Sequence, residues 1–558
     1  MRGRGVSARA CVAAVCVGAA ALPALGQGLF VHAMSGQPVA GGMPGEVFTG
    51  FDTQSPPVIN NGNIAFRAST NASPNPRDSP LIVGHIGSAM VAFRFAGDTG
   101  TPGLSFAPTE WDVTRYTTRI AANGTFGVMA RVQGLGVTGS TDEVLVVGST
   151  QGVHIIAREG AQAPGDTPGA VMRGGGGSNT WFESLRGWSL SDTGLVALTT
   201  PVTRPGLPQY ASHTGVFSDV NGELDLVARG NHAIFGAGTI VEGWSTHMLD
   251  GSASISPRGI TAVAAVFDSP HHQSGGIIVH RGGELRRFVS IQEVPGTPEI
   301  RLNRPHTNDF STIGLNDSGM VSTSVNLLNS ANQRIGTAVV RASADALNIV
   351  AKTGDPKPGF PGQFFSTTEL QYARTTLSAS GLVAFPDQSR RGVFVGTSID
   401  DLSLMFGPDI PIWPTGLGTP LIYPYSLGVN TSNQIVAAFS FEGSTTRGIA
   451  GWDPEHGYVL LAYTGQTVEI APGVFRTILQ LGLSGLFSDP WSPVGSPSGG
   501  GEDGLPNSLD DAGRVVFAAR FTNGESAVLV ATIPAPAGVG VLALGLLAMR
   551  RRRAWTLR

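Results

Sequence analysis

Apolar and polar positions along this chain fall into one short phrase that returns eight times. It consists of an apolar residue, a polar turn and then an alternating apolar stretch. Clear copies are Leu190-Ser191-Asp192-Thr193-Gly194-Leu195-Val196-Ala197-Leu198 and Leu509-Asp510-Asp511-Ala512-Gly513-Arg514-Val515-Val516-Phe517. The remaining turns centre on Gly62, Gly124, Gly259, Gly319, Gly381 and Asn433. Asn/Asp-x-x-Gly puts the left-handed backbone position on a residue without a Cβ, and Asn is the usual second choice there. The stretch that follows, as in Gln434-Ile435-Val436-Ala437, is β-branched or small and alternates in the strand manner. Each copy predicts a hairpin turn feeding a buried strand.

Three further pieces travel with the phrase. Upstream lies a strand that ends in a turn and a Pro-Gly pair, as in Val153 to Gly160 with Pro164-Gly165, or Ile349 to Gly354 with Pro361-Gly362. Between that pair and the phrase comes a looser segment, often with an aromatic residue such as Phe48, Trp181, Trp244 or Phe365. Downstream is a short apolar run such as Gly392-Val393-Phe394-Val395. The unit therefore predicts about four short strands joined by Gly/Pro turns. Its period averages about 64 residues, long beside the ~40–50 of common four-stranded blades. The last step is swollen by a Gly/Pro/Ser-rich loop from Ser488 to Pro506.

A single small sheet cannot bury both faces, whereas sheets stacked radially bury them against each other. The expected fold class is all-β, a β-propeller of about eight four-stranded blades. Seven blades, a tandem of β-sandwiches or a solenoid would satisfy the same repeat. Charged residues make up only 14% and Gly numbers 77, which suits a turn-dense β protein. A formal net charge of −4 without a basic stripe in the body argues against nucleic acid as a partner.

The two ends read as addresses. Arg2, Arg4 and Arg9 precede the apolar stretch Ala10 to Leu22 and then Pro23-Ala24-Leu25-Gly26. That is the pattern of a secretory signal peptide over residues 1–26, with cleavage expected between Gly26 and Gln27. Both cysteines, Cys11 and Cys16, fall within it, so the body over residues 27–532 would carry no thiol. Residues 533–558 hold Pro534-Ala535-Pro536, an apolar run to Met549 and the cluster Arg550-Arg551-Arg552-Arg553. The run is short for a spanning helix, and the arginines would stay on the cytoplasmic side.

This tail resembles a PEP-CTERM sorting signal, with Ala535 where that signal normally carries Glu. The resemblance implies an exosortase-type processing enzyme as partner and membrane attachment through the C-terminus until processing. The body resembles the bacterial NxxGxxAF tandem-repeat proteins with interchangeable C-terminal anchors. Leu315-Asn316-Asp317-Ser318-Gly319 matches the first half of their motif, and Ser378 to Phe385 and Asp510 to Phe517 match the second. Ile59 and Ala121 depart from it at the Asn position. That resemblance implies a secreted, anchored repeat protein without an established activity.

Candidate chemistry is sparse. Gly134-Leu135-Gly136-Val137-Thr138-Gly139 fits G-x-G-x-x-G but opens no helix, so it offers no phosphate cradle. The histidines, among them His271-His272, His32, His154, His247 and His306, show no metal-ligand spacing. Asn316-Asp317 and Asp510-Asp511 lack the series that closes on Glu in a calcium loop, and turn capping accounts for them. No nucleophile elbow, Walker loop or Ser-x-x-Lys is present. Arg158, Arg229 and Lys352 recur before the first turn of their units and read as solvated strand ends, or as a rim for acidic polysaccharide. Trp181, Trp188, Trp244, Trp413 and Trp491 fit either core packing or an aromatic binding surface.

No catalytic residue, metal or cofactor is assigned. The expected function is a non-enzymatic binding or extracellular-matrix role at the cell envelope, with extracellular polysaccharide or a matrix protein as partner. The rival is a secreted propeller enzyme, a glycan hydrolase or lyase, with its site at the central channel. Unrepeated His, Asp, Glu or Arg gathered at one mouth of that channel would favour the rival.

Overall fold

The computed structural model of the chain describes residues 29–533 except 52–56, 73–79, 95–106, 111–117, 134–136, 139–140, 173–186, 207–212, 230–232, 235–237, 240–252, 268–273, 290–292, 295–296, 306–312, 332, 372, 388, 390, 411, 414–418 and 484–501. It is an eight-bladed β-propeller, and each blade is an antiparallel sheet whose strands run a, b, c, d from the axis outward. In blade one, Phe48–Phe51 and Val58–Asn60 both pair with strand b on its inner side and supply strand a. Asn63–Thr70, Leu81–His85 and Met90–Phe93 are its strands b, c and d.

All eight turn residues join strand a to strand b. Their φ angles lie between +62° and +91°. In blades three to eight the residue three before the turn position caps the hairpin. Ser191, Ser256, Asn316, Ser378, Asn430 and Asp510 each accept the backbone N–H four residues on, at 2.9–3.3 Å. Ile59 and Ala121 occupy that place in blades one and two and have no oxygen to offer.

Strand b is enclosed on both faces. Ile64, Ala65 and Phe66 are consecutive and fully buried, as are Val515, Val516 and Phe517. Such runs belong to strands covered from both sides. Among the described residues the apolar core resolves into eight clusters, each shared by two neighbouring blades. The cluster that includes Ile64 and Phe66 of blade one takes Val516, Val528 and Val530 from the last blade.

Closure comes from the N-terminus. Phe30–Met34 pairs with Ser526–Thr532 and supplies strand d of blade eight, after strands b (Arg514–Phe521) and c. The sequence unit thus runs d-a-b-c, offset by one strand from the structural blade. The c–d pairing carries a register irregularity in all eight blades, for instance at Leu145/Val146, Val216/Phe217 and Val31/Ala33. Bulges of this kind add local twist.

The Pro-Gly phrases are d–a hairpins, closed by backbone bonds such as Gly36 N–H to Phe48 O and Gly354 N–H to Phe365 O. Helix is scarce, as expected: the described residues contain the short α1, Thr367–Gln371. No helix among them is long and apolar enough to cross a membrane. Gly26, Gln27, Pro534, Ala535, Pro536 and Arg550 to Arg553 lie outside the described residues, as do the signal peptide and nearly all of the sorting segment. Ile533 packs with the ring: it is buried, and its N–H donates to Gly513 O.

The position one past strand d carries a hydroxyl in blades five, seven and eight. Ser35, Thr353 and Thr464 each accept a backbone N–H of the adjacent strand c, from Ser526, Thr337 and Arg447, through a hydroxyl at 3.0 Å. Blade two has Glu159 there. Its Oε2 accepts Glu143 N–H at 3.3 Å, while Oε1 is buried without a partner. Burial, with repulsion from Glu143 and Asp142 behind it, raises this carboxyl to about 7, although two backbone bonds oppose the rise. A carboxyl raised in the folded state contributes stability that is full below its unfolded pKa and is lost as pH climbs through the folded value. Glu159→Thr is therefore expected to melt higher than the natural chain at pH 8, with the gap closing at pH 5. A gap that ignores pH would show that the buried charge is not the cause.

Candidate functional site

The eight a–b turns gather around the axis at one mouth of the ring, and a polar bond links each turn to the next. Asn63 Nδ2 donates to Ala122 O, Asn123 Nδ2 to Thr193 O, and Thr193 Oγ1 to Pro257 O. Arg258 N–H donates to Asp317 Oδ1, Asn316 Nδ2 to Ser378 O, and Ser380 Oγ to Asn433 Oδ1. Thr431 N–H donates to Asp511 Oδ1, and Gly62 N–H to Asp510 Oδ2 returns the circuit to blade one. The polar residues of the repeat thus cap their own hairpin and also bind the neighbouring blade.

Residues 502–509 fill this mouth. The inner edge of a propeller presents the unpaired N–H groups of each strand a, and a buried N–H needs an acceptor. Asn507 O accepts Ile59 N–H of blade one at 2.9 Å. Gly504 O accepts Leu190 N–H of blade three at 2.9 Å, and Asp503 O accepts Ile255 N–H of blade four at 3.1 Å. Glu502 Oε2 accepts Asp317 N–H of blade five at 3.0 Å. Arg119 Nη1 of blade two also donates to Gly504 O, at 3.0 Å. One short segment reaches five blades because it lies on the axis. Gly504 is at φ +70°, and a Cβ on it would stand 3.0 Å from Ile255 and 3.1 Å from the Leu190 carbonyl carbon.

The electrostatics are set by burial. Arg119 is enclosed, with its guanidinium carbon 4.3 Å from the centre of the Trp188 ring. Desolvation lowers its pKa to about 9, with Asp503 resisting. Asp192, which accepts from Asn60 Nδ2, is raised to about 7. Desolvation leads, followed by the opposing Asn60 bond and then by repulsion from Asp511, Glu502 and Asp503. Glu502 is also raised, by burial first and then by Asp317 and Asp511 against its backbone bond. What remains open between Asn60, Arg119, Asp192 and residues 504–511 is about 20 Å³. That admits a water molecule and no sugar ring.

The mouth therefore does gather unrepeated charge, namely Arg119, Glu502 and Asp503, and then covers it with the chain's own backbone. Among the described residues no group of three or more His, Cys, Asp or Glu is placed to hold a metal. Asn316 and Asp510 act as turn caps.

The basic strand ends are neither free nor a shared rim. Arg229 reaches Asp166 at 2.6 Å, Lys352 reaches Asp355 at 2.9 Å, and Arg158 donates to Thr141 O. They are part-buried ion pairs or backbone clamps, where the sequence reading favoured solvated ends. Trp188 is core beneath Arg119. Trp413 packs against Phe439 at 4.4 Å and donates to Gly407 O. Trp181, Trp244 and Trp491 lie outside the described residues, as do His247, His271, His272, His306 and most of Gly134 to Gly139. His32 is buried and held near 4 by desolvation and then by His85, whereas His154 is exposed.

Sequence reasoning missed the axial segment. Residues 502–506 were the tail of a swollen loop, and nothing local in Glu-Asp-Gly-Leu-Pro announces five distant partners. The excess length of the last repeat was the available signal.

The family described as "Family of unknown function (DUF7453)" matches residues 22–174, 174–390 and 431–539. No curated protein matches the sequence. Among solved structures, the chain is similar to the Penicillium chrysogenum α-L-arabinanase complexed with arabinobiose. Identity is 10%, coverage 64% of this chain and 97% of the other, and TM-score 0.29. It is also similar to the six-bladed fucose-recognising lectin of Aleuria aurantia, at 11% identity, 62% and 93% coverage and TM-score 0.25. A PL25 ulvan lyase bound to its saccharide aligns at 9% identity, 91% and 95% coverage and TM-score 0.29. At these scores none of them informs the chemistry of this chain.

Gly504→Val, which adds a side chain at positive φ against Ile255, is expected to unseat the axial segment at a cost of about 2 kcal/mol. A urea midpoint equal to that of the natural chain would show that the segment is not tightly held.

Proposed function

The chain belongs to the DUF7453 family, a family of unknown function, and from that premise we propose that it is an exported, envelope-anchored propeller acting as a non-enzymatic binding or extracellular-matrix protein. The observation that carries this reading is the filled axial mouth. The axis is where a ring of blades brings most side chains together, and here the chain's own residues 502–509 occupy it on the turn side. A partner on this side then meets a broad, hydrogen-bonded face, which suits a polymer or another protein better than a small enclosed substrate. Extracellular polysaccharide or a matrix protein is the proposed partner. The C-terminal segment is proposed as a membrane attachment until an exosortase-type enzyme processes it.

A second reading has one observation in its favour. Asp192, near 7 beside buried Arg119, has the perturbed carboxyl of a general acid. A secreted glycan hydrolase or lyase could use it once the axial segment moved aside.

A glycan array and a polymer-turnover screen on the purified protein separate the two. Binding without turnover is expected. Turnover that Asp192→Asn abolishes would replace the binding reading with the enzymatic one. For localisation, truncation before Pro534 is expected to release the protein into the medium, and continued retention in the envelope fraction would remove the anchor from this proposal.

A further inference from the structure

Blade six has the shortest ladder of the ring. Its strands b, c and d, Val383–Pro386, Val393–Gly396 and Ser403–Phe406, have four residues each. The d–a hairpin that feeds it, Asp355 to Phe365, points Lys357 inward, with that side chain 2% exposed. Lys357 Nζ lies 2.7 Å from Asp387 Oδ2, just past strand b, and 2.8 Å from Glu369 Oε1 on α1. The rings of Phe360 and Phe365 stand 5.4 and 5.7 Å from Nζ, and Phe394 packs on both. The blade-three hairpin has an ion pair of opposite sense: Asp166 in the hairpin meets Arg204 just past strand b at 2.8 Å. A guanidinium cannot condense with a carboxylate, whereas the amine and acid of blade six can.

We propose that Lys357 and Asp387 join through an isopeptide bond that the chain forms by itself, with Glu369 as proton carrier. In the resting pair, burial lowers the Lys357 amine and the hydrogen bonds to Asp387 and Glu369 more than restore it, so the pair begins ionic. The reaction starts when the ammonium proton crosses to Asp387 Oδ2, leaving a neutral amine and a neutral acid. An apolar surround reduces the cost of that shift, because it penalises separated charge. The nitrogen lone pair attacks Asp387 Cγ, and Oδ1 becomes an oxyanion. Arg391 N–H and Gly392 N–H already donate to Oδ1, at 3.0 and 3.3 Å, as an oxyanion hole would. Glu369 takes a proton from the new ammonium and returns it to Oδ2. The Cγ–Oδ2 bond breaks, one water leaves beside Ser389 Oγ, which is 2.6 Å from Oδ2, and the amide remains. No oxidant, metal or cofactor is consumed, and Glu369 ends unchanged. Cysteines occur only at positions 11 and 16, so no disulfide can brace this blade.

Denaturing intact-mass and tryptic peptide analysis of the full protein tests this. The natural chain is expected one water lighter than Lys357→Arg, after allowance for the substitution, with a branched peptide joining Lys357 to Asp387. Glu369→Gln is expected to retain the fold by circular dichroism and show the unreduced mass. An unreduced mass in the natural protein would overturn the proposal. So would a lost water located in a linear, cyclised Asp387 peptide.

Discussion

The structure depends on apolar surface that no blade can bury alone. Strand b is hydrophobic on both faces, and each core cluster draws side chains from two neighbouring sheets. A fully buried Phe or Val is worth about 1.5–3 kcal/mol over its exposed state, so an unpaired blade face would forfeit many such terms. The arrangement that leaves no face uncovered is a closed ring. The final cluster, with Phe66 on one side and Val516 and Val530 on the other, exists only after closure. Pairing Phe30–Met34 with the last blade makes that closure part of a sheet.

Closing the ring creates a second requirement at its centre. Eight inner strands turn an unpaired edge toward one axis, and residues 502–509 answer it with backbone carbonyls directed at blades one, three and four. Burial first, and then the meeting of the carboxylates they carry with those of the turns, displaces Asp192 and Glu502 upward, while Asp503 partly offsets the desolvation of buried Arg119. Mutual repulsion of this kind is tolerable where surrounding bonds fix the groups in place. The charge at the axis therefore follows from filling it with chain.

The features legible in the sequence were local. Gly194 and Gly513 announce a left-handed turn, Asn316 and Asp510 announce caps, and the alternation after them announces strand b, because each signal is written within ten residues. Phase was not legible. The repeat unit begins with strand d, and only the pairing of residues 30–34 with 526–532 shows that each such strand completes the preceding blade. The axial segment and the Lys357 cluster were equally hidden, since their partners are set by ring geometry across tens to hundreds of residues. Glu159 shows how a departure from the repeat becomes informative once the hydroxyls of Ser35, Thr353 and Thr464 are seen at the same place.

Because one sheet contains both Phe30 and Thr532, the polypeptide enters and leaves the disc through a single sector. Whatever is attached to either terminus hangs from that sector, and blade four, across the axis, is the part of the rim farthest from both attachments. Growth of the chain has a matching asymmetry: the first strand, Phe30–Met34, must wait for its partner strand, Ser526–Thr532, at the far end of the described chain.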